Sequence, residues 1–366
     1  MASSIEKRDI LPLLLGLVSL VLIVAGLRAV SDLMGPILLS LFVAMITSPL
    51  MQWLKARGMP GWLAYTLVLL GVIALGLVLI LFLAASLAQL SAELPTYRNL
   101  IDQQLTNLVQ WLDSKGIQGE DLKELEWFQP GRIFQTLLYF VSALLGTVSN
   151  VGFTLLIFIY MLASAPNFSS RLRHGLATDP PMLARFSYFS SSISTYLLIK
   201  SWLGALTALL QIVLMWILGI NFAILWGVFS FLFNFIPNVG FYISLIPPTL
   251  IALLTLGWAK AIIFAVGYTL INNFFDIVIS PRYLGKGLDL STIVTFLAVV
   301  FWAWILGPIG AFLALPLTVM VKTLLLEPFP ETQLLAQLMG AGSPSESSIA
   351  VTVNEGDSIN EHEIKR

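Results

Sequence analysis

The chain has 366 residues, of which 58% are hydrophobic and only 11% charged, with a net charge of −1. A soluble domain is typically about a quarter charged, and one this apolar would expose patches large enough to aggregate; a bilayer is the solvent that suits it. The near-zero charge leaves no basic face for nucleic acid, and the absence of cysteine removes disulfides, thiol catalysis and iron–sulfur ligation.

Lys7 and Arg8 precede an apolar run from Ile10 to Leu27. The run has the order of a signal peptide, but no small-x-small cleavage site follows it and Arg28 and Asp32 come directly after. It reads as a retained first transmembrane helix. Leu33–Leu54 is a second span, flanked by Lys55 and Arg57, and Trp62–Leu90 a third, opening on the interfacial pair Trp62 and Tyr65. These three form the N-terminal region, residues 1–90.

From Ser91 to Arg132 the composition changes to seven acids and four bases. Tyr97, Ile101, Leu105, Leu108 and Leu112 recur at helical spacing, which predicts an amphipathic helix lying on the membrane or on neighbouring elements, or docking a partner. Residues 133–195 follow, with a fourth span at Ile133–Ala163 and a basic connector carrying Arg171, Arg173, His174 and Arg185. Tyr196–Leu218 is the fifth span.

The pattern then breaks twice. Phe222–Phe235 is too short to cross about 30 Å of hydrocarbon and is interrupted by Ile236-Pro237-Asn238-Val239-Gly240 before a second short run, Phe241–Leu256. Ala261–Ser280 is an ordinary span. Thr292–Leu306 is again short, broken by Gly307-Pro308-Ile309-Gly310 and followed by Ala311–Leu326. Residues 196–326 therefore read as the transport core, and the polar tail 327–366 as disordered.

Lysines and arginines favour the cytoplasmic side. Placing Lys7/Arg8, Lys55/Arg57, Arg171/Arg173/Arg185 and Arg282/Lys286 there puts the acidic segment outside. It also requires Phe222–Leu256 to enter and leave on the outer side, and Thr292–Leu326 on the inner side, so that two hairpin tips meet near the midplane. The fold class is an all-α polytopic membrane protein with about six full transmembrane helices and two Pro/Gly-tipped re-entrant hairpins, or about eight spans if the broken segments are kinked spans. Irregular backbone survives in hydrocarbon only where protein or a wet cavity satisfies it. Pro237 lacks an N–H, and Gly240 permits a sharp turn and close approach; Gly307, Pro308 and Gly310 repeat the device. Paired interruptions of this kind point to a secondary transporter's substrate site.

The stretch Tyr196–Glu327 resembles the autoinducer-2 exporter family, also called the PerM-like permeases. The resemblance rests on Phe235-Ile-Pro-Asn-Val-Gly240, on Pro281-Arg-Tyr-Leu-Gly285 with Leu290-Ser291 after it, and on Phe301-Trp-Ala-Trp-Ile-Leu-Gly-Pro-Ile-Gly310 leading to Leu315-Pro-Leu-Thr318. It implies a secondary-type permease in the inner membrane, a homo-oligomer, with exporters of a small hydrophilic signal and cation/proton antiporters among its members. Relatives often carry Asn where Ile277 stands and an acid where Ser280 stands; here the acid is Asp276.

Polar residues inside apolar runs are the site candidates. Asp276 lies within a span, and a charge at the bilayer centre costs on the order of 2.5–3.5 kcal/mol even on lenient scales, so it should face a cavity or a partner. Asn272, four residues earlier, shares its helix face, and Asn273 stands beside it. Lys200, near the cytoplasmic end of the fifth span, has the depth to pair with Asp276; a fixed salt bridge or a snorkelling lysine would explain it equally. Asn234 and Asn238 flank Pro237, where turn stabilisation is the plainer role. Arg282 sits in a cytoplasmic loop, and His174 is a weak candidate for proton work.

No enzyme motif is present: the only histidines are His174 and His362, and neither G-x-S-x-G nor a Walker A sequence occurs. With no nucleotide, cofactor or metal motif, transport would run on a proton or sodium gradient or downhill. The expected partners are a small polar solute, the lipid bilayer and copies of the same chain, with no nucleic acid. A non-transporting membrane scaffold organised by the acidic segment is the competing class.

Overall fold

The computed structural model describes residues 10–114, 154–162, 174–175, 180–284 and 290–340. Every regular element among them is helical. Six helices are long and apolar enough to cross a membrane, and large apolar side chains point outward from them, among them Leu81 (68% exposed) and Ile217 (76%). In water such a surface would aggregate; in lipid it is the solvated face. The chain is an all-α polytopic membrane protein.

Helix α1 (Ile10–Ala29) and helix α2 (Ser31–Ala56) are separated by a single non-helical residue, Val30. Helix α3 (Gly61–Ser114) starts directly after Pro60 and runs unbroken for 54 residues, through Pro95. The amphipathic segment expected as a separate element is therefore, up to Ser114, a continuation of the third span. Nothing between Ile101 and Leu112 breaks a helix, so propagation past the membrane is favourable. Of the fourth span, only 154–162 lie within the described residues. Helix α4 (Pro180–Leu218) begins well before the expected span, its first turn set by two prolines. It ends where Gly219 takes φ 77° and the Ile220 N–H donates to the Met215 carbonyl at 2.9 Å, a Schellman closure.

Helix α5 (Ala223–Phe233), the turn at 234–238 and helix α6 (Val239–Leu256) form the first broken segment. Helix α7 (Trp258–Asn273) continues into a π-helical stretch, Phe274–Ile279, and the short helix α8 (Ser280–Leu284). Helix α9 (Thr292–Phe312), capped by Ser291, whose hydroxyl accepts from the Val294 N–H, bends at Gly307. Helix α10 (Ala314–Met320) and a second π-helical stretch, Val321–Leu326, follow.

Both broken segments double back. Trp302 Nε1–H donates to Thr318 Oγ1 at 3.0 Å, although sixteen residues of straight helix would separate them by about 24 Å. Ser230 and Ser244, on the two arms of the first segment, lie 3.0 and 2.7 Å from one hydroxyl, that of Tyr268. Kinked single spans are thereby ruled out in favour of hairpins.

The first hairpin packs with the second half of α3's apolar stretch, the end of α4, and α7 around Met215, Leu225, Phe229, Phe264 and Tyr268. A second core joins the first half of α4, α2 and the second hairpin around Phe42, Ile193, Leu197, Leu313 and Leu317. The disorder expected from Glu327 onward does not begin there. Helix α11 (Gln333–Met339) buries Ala336, and the Ser291 N–H donates to the Met339 carbonyl at 2.9 Å. Residues 341–366 lie outside the described set.

Candidate functional site

At the tip of the first hairpin is a cavity of about 50 Å³ lined, among others, by Lys200, Asn234, Pro237, Asn238, Gly240, Asn272 and Asp276. Lys200 Nζ stands 3.2 Å from Asp276 Oδ1, and Asn272 Nδ2 donates to Asp276 Oδ2 at 2.9 Å. Three elements converge here: α4 supplies the lysine, α7 with its π-helical extension the amide and carboxylate, and the hairpin turn two more amides. Asp276 is 43% exposed and Lys200 16%, so the pair is a half-open ion pair at the cavity edge. The carboxylate is the more accessible of the two partners.

Asp276 lies within the π-helical stretch, where the Ser280 N–H reaches back five residues to Phe275. Such wide turns recur at functional sites. Its neighbours Phe274, Ile277 and Val278 are exposed at the apolar surface.

The turn is strained at one residue. Asn238 takes φ 62° and ψ −49°, and the Val239 N–H donates to the Pro237 carbonyl at 2.6 Å, a tight γ-turn that few residues adopt. Gly240 is not left-handed; its constraint is space, because a Cβ there would collide with the Phe233 carbonyl. The second hairpin repeats the arrangement, with Gly307 at φ 66° and a Cβ on Gly310 colliding with the Trp302 carbonyl. In each case a glycine lets one arm lie on the backbone of the other.

Not every candidate reaches the cavity. Asn273 is exposed beside it, and Arg282 is exposed on α8. Gly307, Pro308 and Gly310 lie apart from it, in a tip whose Ile309 packs on α2 at Gly35. The hairpins do meet, through Phe235 of the first turn and Phe312, five residues past Gly307, with ring centroids 4.5 Å apart. The contact is aromatic, so only the first tip brings polar groups to the cavity. His174 is not among the residues that line it.

Two features escape sequence reasoning. Gly204, one turn after Lys200, leaves room for the Asn234 side chain, whose Nδ2 would be 2.5 Å from a Cβ there. Deeper in, Ser230 Oγ donates to Gln211 Oε1 and lies near the Tyr268 hydroxyl, which also touches Ser244; all four side chains are buried. Ser230 and Ser244 also line the cavity, so this cluster extends the polar surface inward from the ion pair. Gln211 Nε2 has no partner among the described residues, an expensive state for an amide in an apolar interior. Small polar residues scattered through apolar runs were the only signal.

Comparisons with known proteins agree on one family. Residues 17–327 match the model described as AI-2E family transporter. The chain is 33% identical over 323 residues to the AI-2 transport protein TqsA of Escherichia coli, covering 88% of this chain and 94% of that protein. It is 32% identical over 333 residues to a putative transport protein of Haemophilus influenzae, covering 89% and 95%. A putative transport protein of Bacillus subtilis, YrrI, is 23% identical over 314 residues, or 80% and 85%. The chain thus belongs to the AI-2E transporter family, as a multi-pass inner-membrane protein that transports a small solute.

Proposed function

We propose that the protein is a secondary-type exporter of a small hydrophilic solute resembling autoinducer-2, and that the cavity under the first hairpin is where the solute or a coupling ion is handled. The observation that carries this reading is the Lys200–Asp276–Asn272 cluster inside apolar helices, joined by the tip amides in one cavity. Similarity to TqsA, named an AI-2 transport protein, supports the solute class. A carboxylate that exchanges between a lysine, a proton and a sodium ion is the chemistry that gradient coupling needs.

The size of the cavity bears on mechanism. About 50 Å³ suits one or two waters, whereas small-molecule sites run to about 300–1,000 Å³. Passage of a solute therefore requires the first tip to move away from Lys200 and Asp276. The Tyr268 hydroxyl, bound to both arms, makes the hairpin move as one body.

The test is flux through purified protein in liposomes, with and without a proton or sodium gradient. Asp276→Asn should abolish or uncouple flux while the protein still assembles. A purely structural ion pair behaves differently: the double variant Asp276→Asn with Lys200→Met would then recover gradient-driven flux in full, and that recovery would overturn the coupling role.

A further inference from the structure

The mouth of the second hairpin is crossed by helix α11, seven residues long and placed beyond residue 327, where the match to the family ends. The helix is fastened at both ends. At its start the Thr332 hydroxyl donates to the carbonyl of Leu326, on the returning arm, at 2.7 Å. At its end the Met339 carbonyl accepts the Ser291 N–H at 2.9 Å, and Ser291 caps the entering arm, α9. Seven residues rise about 10 Å, the spacing of two packed helices. The helix therefore runs from one arm to the other, along the membrane surface. With about 100° between successive residues, its side chains fall into three sectors. The first faces protein: α11 packs on the π-helical stretch Val321–Leu326 and buries Ala336. The second is apolar and uncovered, made of Leu334 (66% exposed), Leu338 (67%) and Leu335. The third is polar, made of Gln333 and Gln337, both exposed.

We infer that α11 is an interfacial helix whose leucine face inserts into the cytoplasmic leaflet, at the boundary between headgroups and acyl chains. Its position selects lipid as the occupant. Ile293, in the first turn of α9, and Leu325, at the end of the returning arm, are both exposed. The leucine face thus continues a surface that already meets acyl chains. Tied to Ser291 and Leu326, where the two arms pass from hydrocarbon to water, the helix lies at the depth where an apolar flank goes down and a polar flank stays wet. The positive-inside arrangement, with Lys322 in the cytoplasm, makes this the inner leaflet. Residues 332–340 carry no charge, so insertion rests on apolar area and needs no anionic lipid. The consequence is mechanical. Bound to both arms and seated in the leaflet, α11 holds the mouth of the second hairpin at a fixed depth. The arms of the first hairpin instead run directly into α4 and α7, through residues 219–222 and Gly257.

Because the chain contains no cysteine, Leu334→Cys, Leu338→Cys, Gln333→Cys and Gln337→Cys can each carry one nitrobenzoxadiazole dye, in the full chain reconstituted into phosphatidylcholine liposomes. All four side chains are exposed, so the substitutions should leave the fold intact, and each face has a second position should one variant fail. With iodide on both sides of the membrane, the dye on Leu334→Cys or Leu338→Cys should emit at shorter wavelength and lose its quenching by iodide. A lipid bearing a nitroxide near the top of its acyl chain should quench it, since the apolar face of such a helix sits about 5–10 Å into the boundary. The dye on Gln333→Cys or Gln337→Cys should remain open to iodide. Adding phosphatidylglycerol should change neither the emission nor the nitroxide quenching. Iodide quenching at all four positions would place the leucine face in water and overturn the assignment. Protection from iodide without nitroxide quenching would overturn it too, since a second copy or another protein would then cover the face. Insertion that appears only with phosphatidylglycerol would do the same.

Discussion

The two hairpins share a backbone and differ in chemistry. Each has one positive-φ residue at its turn, Asn238 or Gly307, and one glycine pressed on the opposite arm's carbonyl, Gly240 on Phe233 or Gly310 on Trp302. Between its arms, α4 and α7 the first buries a polar cluster of Gln211, Ser230, Ser244 and Tyr268. The second is tied across by one bond, Trp302 to Thr318, within an apolar core. Doubling back is therefore a requirement of the fold, met twice by the same means, while the polar cavity described above lies at the tip of one copy. A glycine count alone would have treated the copies as equivalent.

The largest expected effect tests what the copies share. Gly240→Val and Gly310→Val each force a branched side chain onto a backbone carbonyl that cannot swing aside, at a cost of about 3 kcal/mol or more. Both variants should fail to give monodisperse protein in size-exclusion chromatography. A well-folded variant at either position would show that the arms can separate and that the hairpins are not equally constrained.

The next effects test what the copies do not share. Asp276→Asn should lower flux at least tenfold with normal assembly, whereas Trp302→Phe, which removes the tie of the second hairpin, should cost about 1 kcal/mol of stability and leave flux near normal. Thermal unfolding in detergent alongside liposome flux separates the two. If Trp302→Phe impairs flux as strongly, the second hairpin belongs to the transport machinery. Tyr268→Phe lies between them: losing the shared hydroxyl should cost about 1 kcal/mol and slow transport several-fold, because the arms of the first hairpin would no longer move together. The smallest contrast sits within one helix. Asn272→Ala should reduce flux several-fold, and its neighbour Asn273→Ala, exposed beside the cavity, should leave it unchanged.

Sequence reading located the hairpins because proline and glycine cluster there between apolar runs too short to span, whereas single prolines such as Pro36 and Pro49 lie inside a helix. It paired Lys200 with Asp276 because a charge there demands a partner. Helical spacing places both Asn272 and Asn273 near Asp276; the hydrogen bond comes from the Asn272 amide, and Asn273 is exposed beside it. Gly204 and the Gln211–Ser230–Tyr268–Ser244 cluster were not legible, since partners drawn from four segments become neighbours only after packing. The continuity of α3 past the membrane was missed for the opposite reason: a change of composition suggested a change of element where the backbone had no cause to stop.

The wide turn at Phe274–Ile279 carries one more residue than an α-helical turn would. Each residue of an α-helix advances it by about 100° about its axis. If that extra residue is absorbed, the part of the helix beyond the stretch, α8 with Arg282, rotates by about this angle relative to the start without any change in helix tilt, while Asp276, four residues from Asn272, keeps the same face. The position of Arg282 relative to the Lys200–Asp276 pair is then a question of winding. A helix held by lipid and neighbouring helices on its flanks can rewind locally at a small fraction of the disturbance that moving it bodily would require, which makes this stretch a natural place for the end of the helix to turn.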